Sequence, residues 1–216
     1  MTIPKIIHLI WVGGNKPEWT EYIVSEIKRI NFDYEVIEWN DTNIDFELKN
    51  QKLFEECENL GAKSDILRFE LLHRYGGIYL DYDNLVIKKF DDLLNYDFFC
   101  GADAQSPNDA WNSVIGSKPN NEICQKFLEE ISNVTPIKID EIGRVMDETG
   151  PNRLKNIIRG NQWTCNYKVF IGSEFFPFDL HLRSKHISFT EEYITFLKSF
   201  SDEKTYSIHF HTCTWQ

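Results

Sequence analysis

Arg74-Tyr75-Gly76-Gly77-Ile78-Tyr79-Leu80-Asp81-Tyr82-Asp83-Asn84 is the stretch whose reading decides the fold. Apolar residues cover most of the segment from Ser64 to Tyr75, which predicts a buried helix with Ser64 as its N-cap. Gly76 and Gly77 break that pattern. Ile78, Tyr79 and Leu80 then read as a short buried strand, because β-branched and aromatic side chains suit a pleated surface. Two carboxylates follow at its end. In an extended chain residues i and i+2 face the same way, so Asp81 and Asp83 are expected to project together. Like charges that close repel unless something neutralises them. A divalent cation does so, and oxygen ligands suit Mg²⁺ or Mn²⁺. The plainer alternative is a solvated turn with both aspartates in water. For an isolated Asp-x-Asp in an acidic chain that alternative is the stronger one.

The flanking sequence changes the weighing. Lys5-Ile6-Ile7-His8-Leu9-Ile10-Trp11-Val12 is a near-continuous apolar run ending at Gly13-Gly14, as expected of a central parallel strand covered on both faces. Strand ends in open α/β sheets face ligand crevices. Trp11 stands at such an end, where it either stacks on a planar base or packs in the core. His8, inside the strand, reads as a packed core histidine. Asp65 and Arg68 are three apart on the buried helix and share one face. They either pair with each other or meet a ligand, because a buried charge without a partner is costly.

Elsewhere the pattern alternates strands and helices. Pro17 to Ile30 reads as a helix, Tyr34 to Trp39 as a strand and Lys49 to Leu60 as a helix stopped by Gly61. Phe98 to Ala102, Trp111 to Gly116, Lys168 to Ile171 and Phe175 to Phe178 read as strands. Asn121 to Ile131, a segment starting at Pro151 and the region Glu191 to Phe200 read as helices. This mixture argues for one α/β domain over residues 1–216. The net charge of −11 argues against nucleic acid or an anionic membrane as main partner. The cysteines number five with no CxxC spacing, so neither a zinc site nor a disulfide framework is expected. No apolar run is long enough for a membrane span and the first residues lack a signal-peptide pattern, so the expectation is a cytoplasmic protein with at most peripheral membrane contact at the inner face.

Three blocks carry a resemblance: Ile3-Pro4-Lys5-Ile6-Ile7-His8-Leu9-Ile10-Trp11, Ala62-Lys63-Ser64-Asp65-Ile66-Leu67-Arg68, and Tyr75-Gly76-Gly77-Ile78-Tyr79-Leu80-Asp81-Tyr82-Asp83. In this order and spacing the chain resembles the DXD-motif sugar transferases of glycosyltransferase family 32, related to the initiating mannosyltransferases and the catalytic core of the clostridial glucosylating toxins. Weaker similarity continues at Asn112 to Pro119, at Thr149-Gly150-Pro151 and over the last eight residues, where His209 and Trp215 keep the family's spacing. Thr214 stands in place of the usual Ser, and His211 offers a second imidazole.

The resemblance implies a GT-A fold with a single Rossmann-like mixed sheet flanked by helices. It also implies a nucleotide-sugar donor, with a UDP-sugar favoured over GDP-mannose, and Mn²⁺ or Mg²⁺ as cofactor. Trp11 would stack on the base and Asn43 would touch base or ribose. Asp65 and Arg68 would hold sugar hydroxyls. Asp81 would contact ribose, sugar or a metal-bound water, Asp83 would ligate the metal directly, and His209 would complete the metal or diphosphate site, with Trp215 on the donor; Asp81, Asp83 and Arg68 would carry the catalysis. The implied reaction is retaining transfer to a hydroxyl of a saccharide or lipid-linked glycan, as in surface polysaccharide synthesis. Asp103 and Asn112 lie in segments that could face the reacting carbon. Two alternatives stand beside this reading: a haloacid-dehalogenase-like phosphatase, which also places Asp-x-Asp after an apolar strand, and an inactive nucleotide-sugar-binding module.

Overall fold

Gly76 and Gly77 turn the chain from a long buried helix straight into the middle of a sheet. Both have positive φ, 66° and 101°. A side chain on Gly77 would also meet the Ile6 carbonyl oxygen at 2.7 Å, so neither the backbone conformation nor the space admits one cheaply.

The computed structural model describes residues 2–102, 109–177 and 191–210. In chain order the strands are β1 (Ile6–Ile10), β2 (Glu35–Trp39), β3 (Gly77–Leu80), β4 (Asn84–Val86), β5 (Phe98–Ala102), β6 (Ala110–Ser117), β7 (Tyr167–Ile171) and β8 (Ser207–His209). The helices are α1 (Trp19–Ile30), α2 (Gln51–Glu56), α3 (Leu60–Tyr75), α4 (Glu122–Glu130), α5 (Ile142–Arg144), α6 (Pro151–Gly160) and α7 (Glu191–Lys198). A π-helical turn, Val145–Thr149, joins α5 to α6.

Six strands form one sheet in the order β2-β1-β3-β6-β5-β7. β1 runs parallel to β2 and β3, β6 antiparallel to β3 and β5, and β7 parallel to β5. β4 and β8 form a separate antiparallel pair. The mixed sheet agrees with the GT-A expectation. Alternation along β3 divides the interior. Ile78 and Leu80 enter a core shared with Ile23 and Ile27 of α1 and with Leu85 and Ile208 of the small sheet. Tyr79 enters the opposite core, built with α3, α4 and α6, where Phe69 and Phe127 stack. Burying both faces explains why β1 and β3 lack polar alternation.

Two boundaries differ from the sequence reading. Asn59 caps α3, its Oδ1 accepting the Gly61 and Ala62 amides at 2.9 and 3.2 Å. Gly61 therefore lies inside the helix, Ser64 lies a turn further on, and the preceding helix shrinks to α2. The break is fixed from afar, since the Glu58 and Asn59 amides donate to the Ile137 carbonyl. Phe175 and Phe176 do not form a strand. Their amides donate to the Gly172 carbonyl in a turn, and the Phe175 ring stacks on Phe99 in the core. Phe178 lies outside the described residues.

His8 is a core histidine, as expected, and is completely buried. Its Nε2 lies 2.8 Å from the Gly76 carbonyl oxygen, and its Nδ1 accepts the Trp39 indole N–H at 3.0 Å. That pattern requires the neutral ring protonated at Nε2, because a proton on Nδ1 would face the indole donor. Burial drives the pKa down to about 4, only partly offset by the bond to Gly76. The unfolded chain titrates near 6.5, so between these values it binds more protons than the native protein. Stability should therefore fall as pH drops through that window, by on the order of 3 kcal/mol from this residue alone. Urea unfolding of wild type and His8→Gln between pH 7 and 4 checks this: the wild type should lose stability more steeply, and parallel curves would refute the assignment.

Candidate active site

Leu80 ends β3, and the chain then turns back at once. The Asn84 amide donates to the Asp81 carbonyl at 3.1 Å, so Asp81-Tyr82-Asp83 is a tight turn and not an extension of the strand. The two carboxylates still converge, but the turn brings them together instead of strand alternation. Asn84 opens β4, which pairs with β8 so that Asn84 lies opposite His209. His209 Nε2 consequently sits 2.9 Å from Asp83 Oδ1 and 3.7 Å from Asp81 Oδ2. One ligand atom from each of Asp81, Asp83 and His209 falls within 4.8 Å of the others. Two carboxylate oxygens and an imidazole nitrogen suit Mn²⁺ or Mg²⁺.

Arg68 stands behind this group. It is 5% exposed. Its guanidinium lies 3.2 Å from Asp65 Oδ1 and 3.4 Å from Asp81 Oδ1, donates to the Asn112 carbonyl and to Ser64 Oγ, and packs 4.3 Å from the centre of the Tyr79 ring. Tyr79 in turn donates its hydroxyl to Asp81. Asp65 and Arg68 thus form the internal ion pair and also line the cavity, so the two readings of that spacing are compatible. Asp65 Oδ1 accepts the Asn112 amide at 2.8 Å, and Oδ2 accepts the Thr149 hydroxyl at 3.2 Å. Burial pushes the Asp65 carboxyl up to about 7 against the attraction of Arg68. Three carboxyls, Asp65, Asp81 and Asp83, thus stand against the one guanidinium of Arg68, and burial raises the pKa of Asp81 as well.

These groups floor a cavity of about 370 Å³, within the usual range for small-molecule sites. Its lining includes Trp11, Val12 and Trp19, Leu60 and Ser64, Trp111 and Asn112, and Ile142, Val145 and Met146. Trp11 is half-buried, meets the Tyr82 ring edge-on, and carries a buried indole N–H with no hydrogen-bond partner among the described residues. Asn43 does not line the cavity. It is exposed, and its amide is used in its own loop, donating to the Glu38 carbonyl and accepting the Asn40 amide. Asp103, His211 and Trp215 lie outside the described residues. The sequence reading missed Tyr79, Ser64 and Trp19. The first two carry a signal in retrospect: Tyr79 stands two before Asp81, and Ser64 one helical turn before Arg68.

A mixed sheet flanked by helices, with Asp81 and Asp83 just past the end of β3, defines a fold class, the GT-A fold. Residues 17–99 match the family model for the glycosyltransferase sugar-binding region containing the DXD motif, and over this region the chain is similar to the DXD-motif glycosyltransferases. The uncharacterized glycosyltransferase L373 of Acanthamoeba polyphaga mimivirus is 28% identical over 171 residues, covering 72% of this chain and 64% of that protein. The mannosyl phosphorylinositol ceramide synthase CSH1 of Saccharomyces cerevisiae is 29% identical over 156 residues, covering 69% and 40%. The chain spans about two-fifths of CSH1 and under two-thirds of L373. The UDP-bound glycosyltransferase domain of the YGT toxin shares the fold, with a TM-score of 0.56 at 13% identity over 78% of this chain and 79% of that domain. The matched region sets aside the phosphatase alternative. Among the described residues, no helix is long and apolar enough to cross a membrane.

Arg68→Ala would leave Asp65 and Asp81 facing each other without their shared cation. Removing one partner of a buried ion pair typically costs about 3–5 kcal/mol. Urea denaturation should show a loss in that range, and a change below about 1 kcal/mol would mean the network contributes little to the fold.

Proposed function

We propose that the chain transfers a sugar from a nucleotide-sugar donor to a hydroxyl of a saccharide or lipid-linked glycan, using a divalent metal and retaining the anomeric configuration. The observation that carries this reading is the convergence of Asp81, Asp83 and His209 on the floor of a cavity that also holds Arg68 and is walled by Trp11. A UDP-sugar is the favoured donor, in keeping with the UDP in the YGT toxin domain, and GDP-mannose is the second choice, in keeping with the mannosyl transfer in the name of CSH1.

Asp83, Asp81 and His209 would hold the metal, which when bound neutralises charge accumulating on the leaving diphosphate. Trp11 offers an aromatic face to the base. Arg68 and Asp65, already fixed by their mutual pairing, are pre-oriented for sugar hydroxyls, so little ordering entropy is lost on binding. The apolar wall of Ile142, Val145 and Met146 limits water beside the reacting carbon. Retention would follow from a front-face step. The acceptor oxygen bonds to the anomeric carbon on the side from which the diphosphate departs, and the acceptor proton passes to a departing phosphate oxygen.

Donor hydrolysis without acceptor, assayed over UDP-glucose, UDP-galactose, UDP-N-acetylglucosamine and GDP-mannose with Mn²⁺, tests the reading and separates an enzyme from an inactive binding module. Activity should vanish with excess EDTA and in Asp83→Asn. Undiminished turnover in either case overturns the metal assignment.

Trp11→Ala should weaken nucleotide binding by about 1–3 kcal/mol while the protein stays folded. Calorimetric titration with UDP and Mn²⁺ measures this. A variant with no folded fraction would return Trp11 to the core.

A further inference from the structure

Thr149-Gly150-Pro151 is more than the start of a helix. Thr149 is completely buried, and its hydroxyl lies 3.2 Å from Asp65 Oδ2, across 84 positions of sequence. The backbone that brings it there is unusual. Val145–Thr149 is π-helical, and the Gly150 amide closes the widened turn by donating to the Val145 carbonyl at 2.7 Å. Such turns are rare and recur at functional sites. Gly150 has an ordinary negative φ of −98°, so it is not needed for its conformational freedom. It is needed for room: a Cβ there would lie 2.8 Å from the Val145 carbonyl oxygen and 3.1 Å from Met146 Cα. Pro151 then restarts the helix at its first turn, where a missing amide hydrogen costs nothing.

The result is a three-sided grip on one carboxylate. Asn112 of β6 and Arg68 of α3 hold Oδ1, and Thr149 holds Oδ2. Without Thr149, both remaining contacts act on the same oxygen, and the carboxylate can pivot about it. The turn that supplies the hydroxyl also supplies Val145 and Met146 to the cavity wall.

We propose that Thr149 is a positioning residue, held by the π-helical turn so that its hydroxyl fixes the orientation in which Asp65 meets the sugar of the donor. This rests on the donor reading above. It assigns Thr149 no contact with base or diphosphate, so its loss should be felt by the sugar alone.

The test compares dissociation constants, with Mn²⁺ present, for a nucleoside diphosphate and for the matching nucleotide sugar selected by the hydrolysis screen. Thr149→Val keeps the shape and removes the hydroxyl. It should bind the free nucleotide as wild type does and the nucleotide sugar roughly three- to tenfold more weakly, the loss of about one hydrogen bond. Thr149→Ser should restore the preference. In an Asp65→Ala background, which has no acceptor for the hydroxyl, Thr149→Val should cause no further loss, since the two act as one unit. An unchanged ratio in folded Thr149→Val, or an equal loss without the Asp65 carboxylate, overturns the proposal. If Thr149→Val does not fold, Thr149→Ala takes its place. If wild type binds no nucleotide sugar, the donor reading fails, and a crystal structure of the variant decides the positioning claim separately: a carboxylate turned from its wild-type rotamer supports it, and an unmoved one overturns it.

Discussion

Arg68 is the constraint on which the rest of the site depends. Its guanidinium is buried between Asp65 and Asp81 and lies over the Tyr79 ring. A buried cation is tolerated only when its donors and charge are met, and here they are met by α3 itself, by β6 and by the turn after β3. The geometry of three elements is therefore tied to one side chain. Arginine suits this task better than lysine, because its planar fork can reach several acceptors in fixed directions. The remaining negative charge is left at the edge that opens to the cavity. The fold thus leaves its excess of carboxyls at the point where the proposed metal and diphosphate would enter together.

How much of this was legible follows from what each residue depends on. β1, α3, the Gly76-Gly77 break and β3 were legible because run length, periodicity and punctuation are local properties. The convergence of Asp81 and Asp83 was legible too, although for a different geometric reason than strand alternation. Asn59 was not, because its capping role depends on a backbone pairing with Ile137. The pairing that sets His209 beside the aspartates is equally remote, and only the family resemblance pointed to that residue. Asn43 came only from the family resemblance, whereas its local sequence read as turn chemistry, and in the structure its amide closes that turn. Thr149 was read as flanking a helix start, since nothing local announces that five residues take the π-helical path.

The two interior cores have different roles. The one with α3, α4 and α6 places Arg68, Asp65 and Thr149, the side proposed to meet the sugar. The one with α1 and the small sheet places Tyr82 and His209, the side proposed to hold the metal. β3 is the shared wall, contributing Tyr79 to the first and Ile78 and Leu80 to the second. A packing defect in either core should therefore disturb one half of the site more than the other.

The pairing of β4 with β8 has a consequence for biosynthesis. Ser207 meets Asn84 across 123 positions of chain. During translation the aspartates leave the ribosome long before His209 exists. A nascent chain can therefore present two carboxylates at the turn after β3 but not the assembled three-residue cluster. Closing so large a loop carries an entropic cost that only the completed small sheet offsets. The three-residue cluster is thus completed late, and a polypeptide interrupted before Ser207 lacks it however much of the central sheet it has formed. The same spacing makes the finished cluster a mark that synthesis has proceeded past β8.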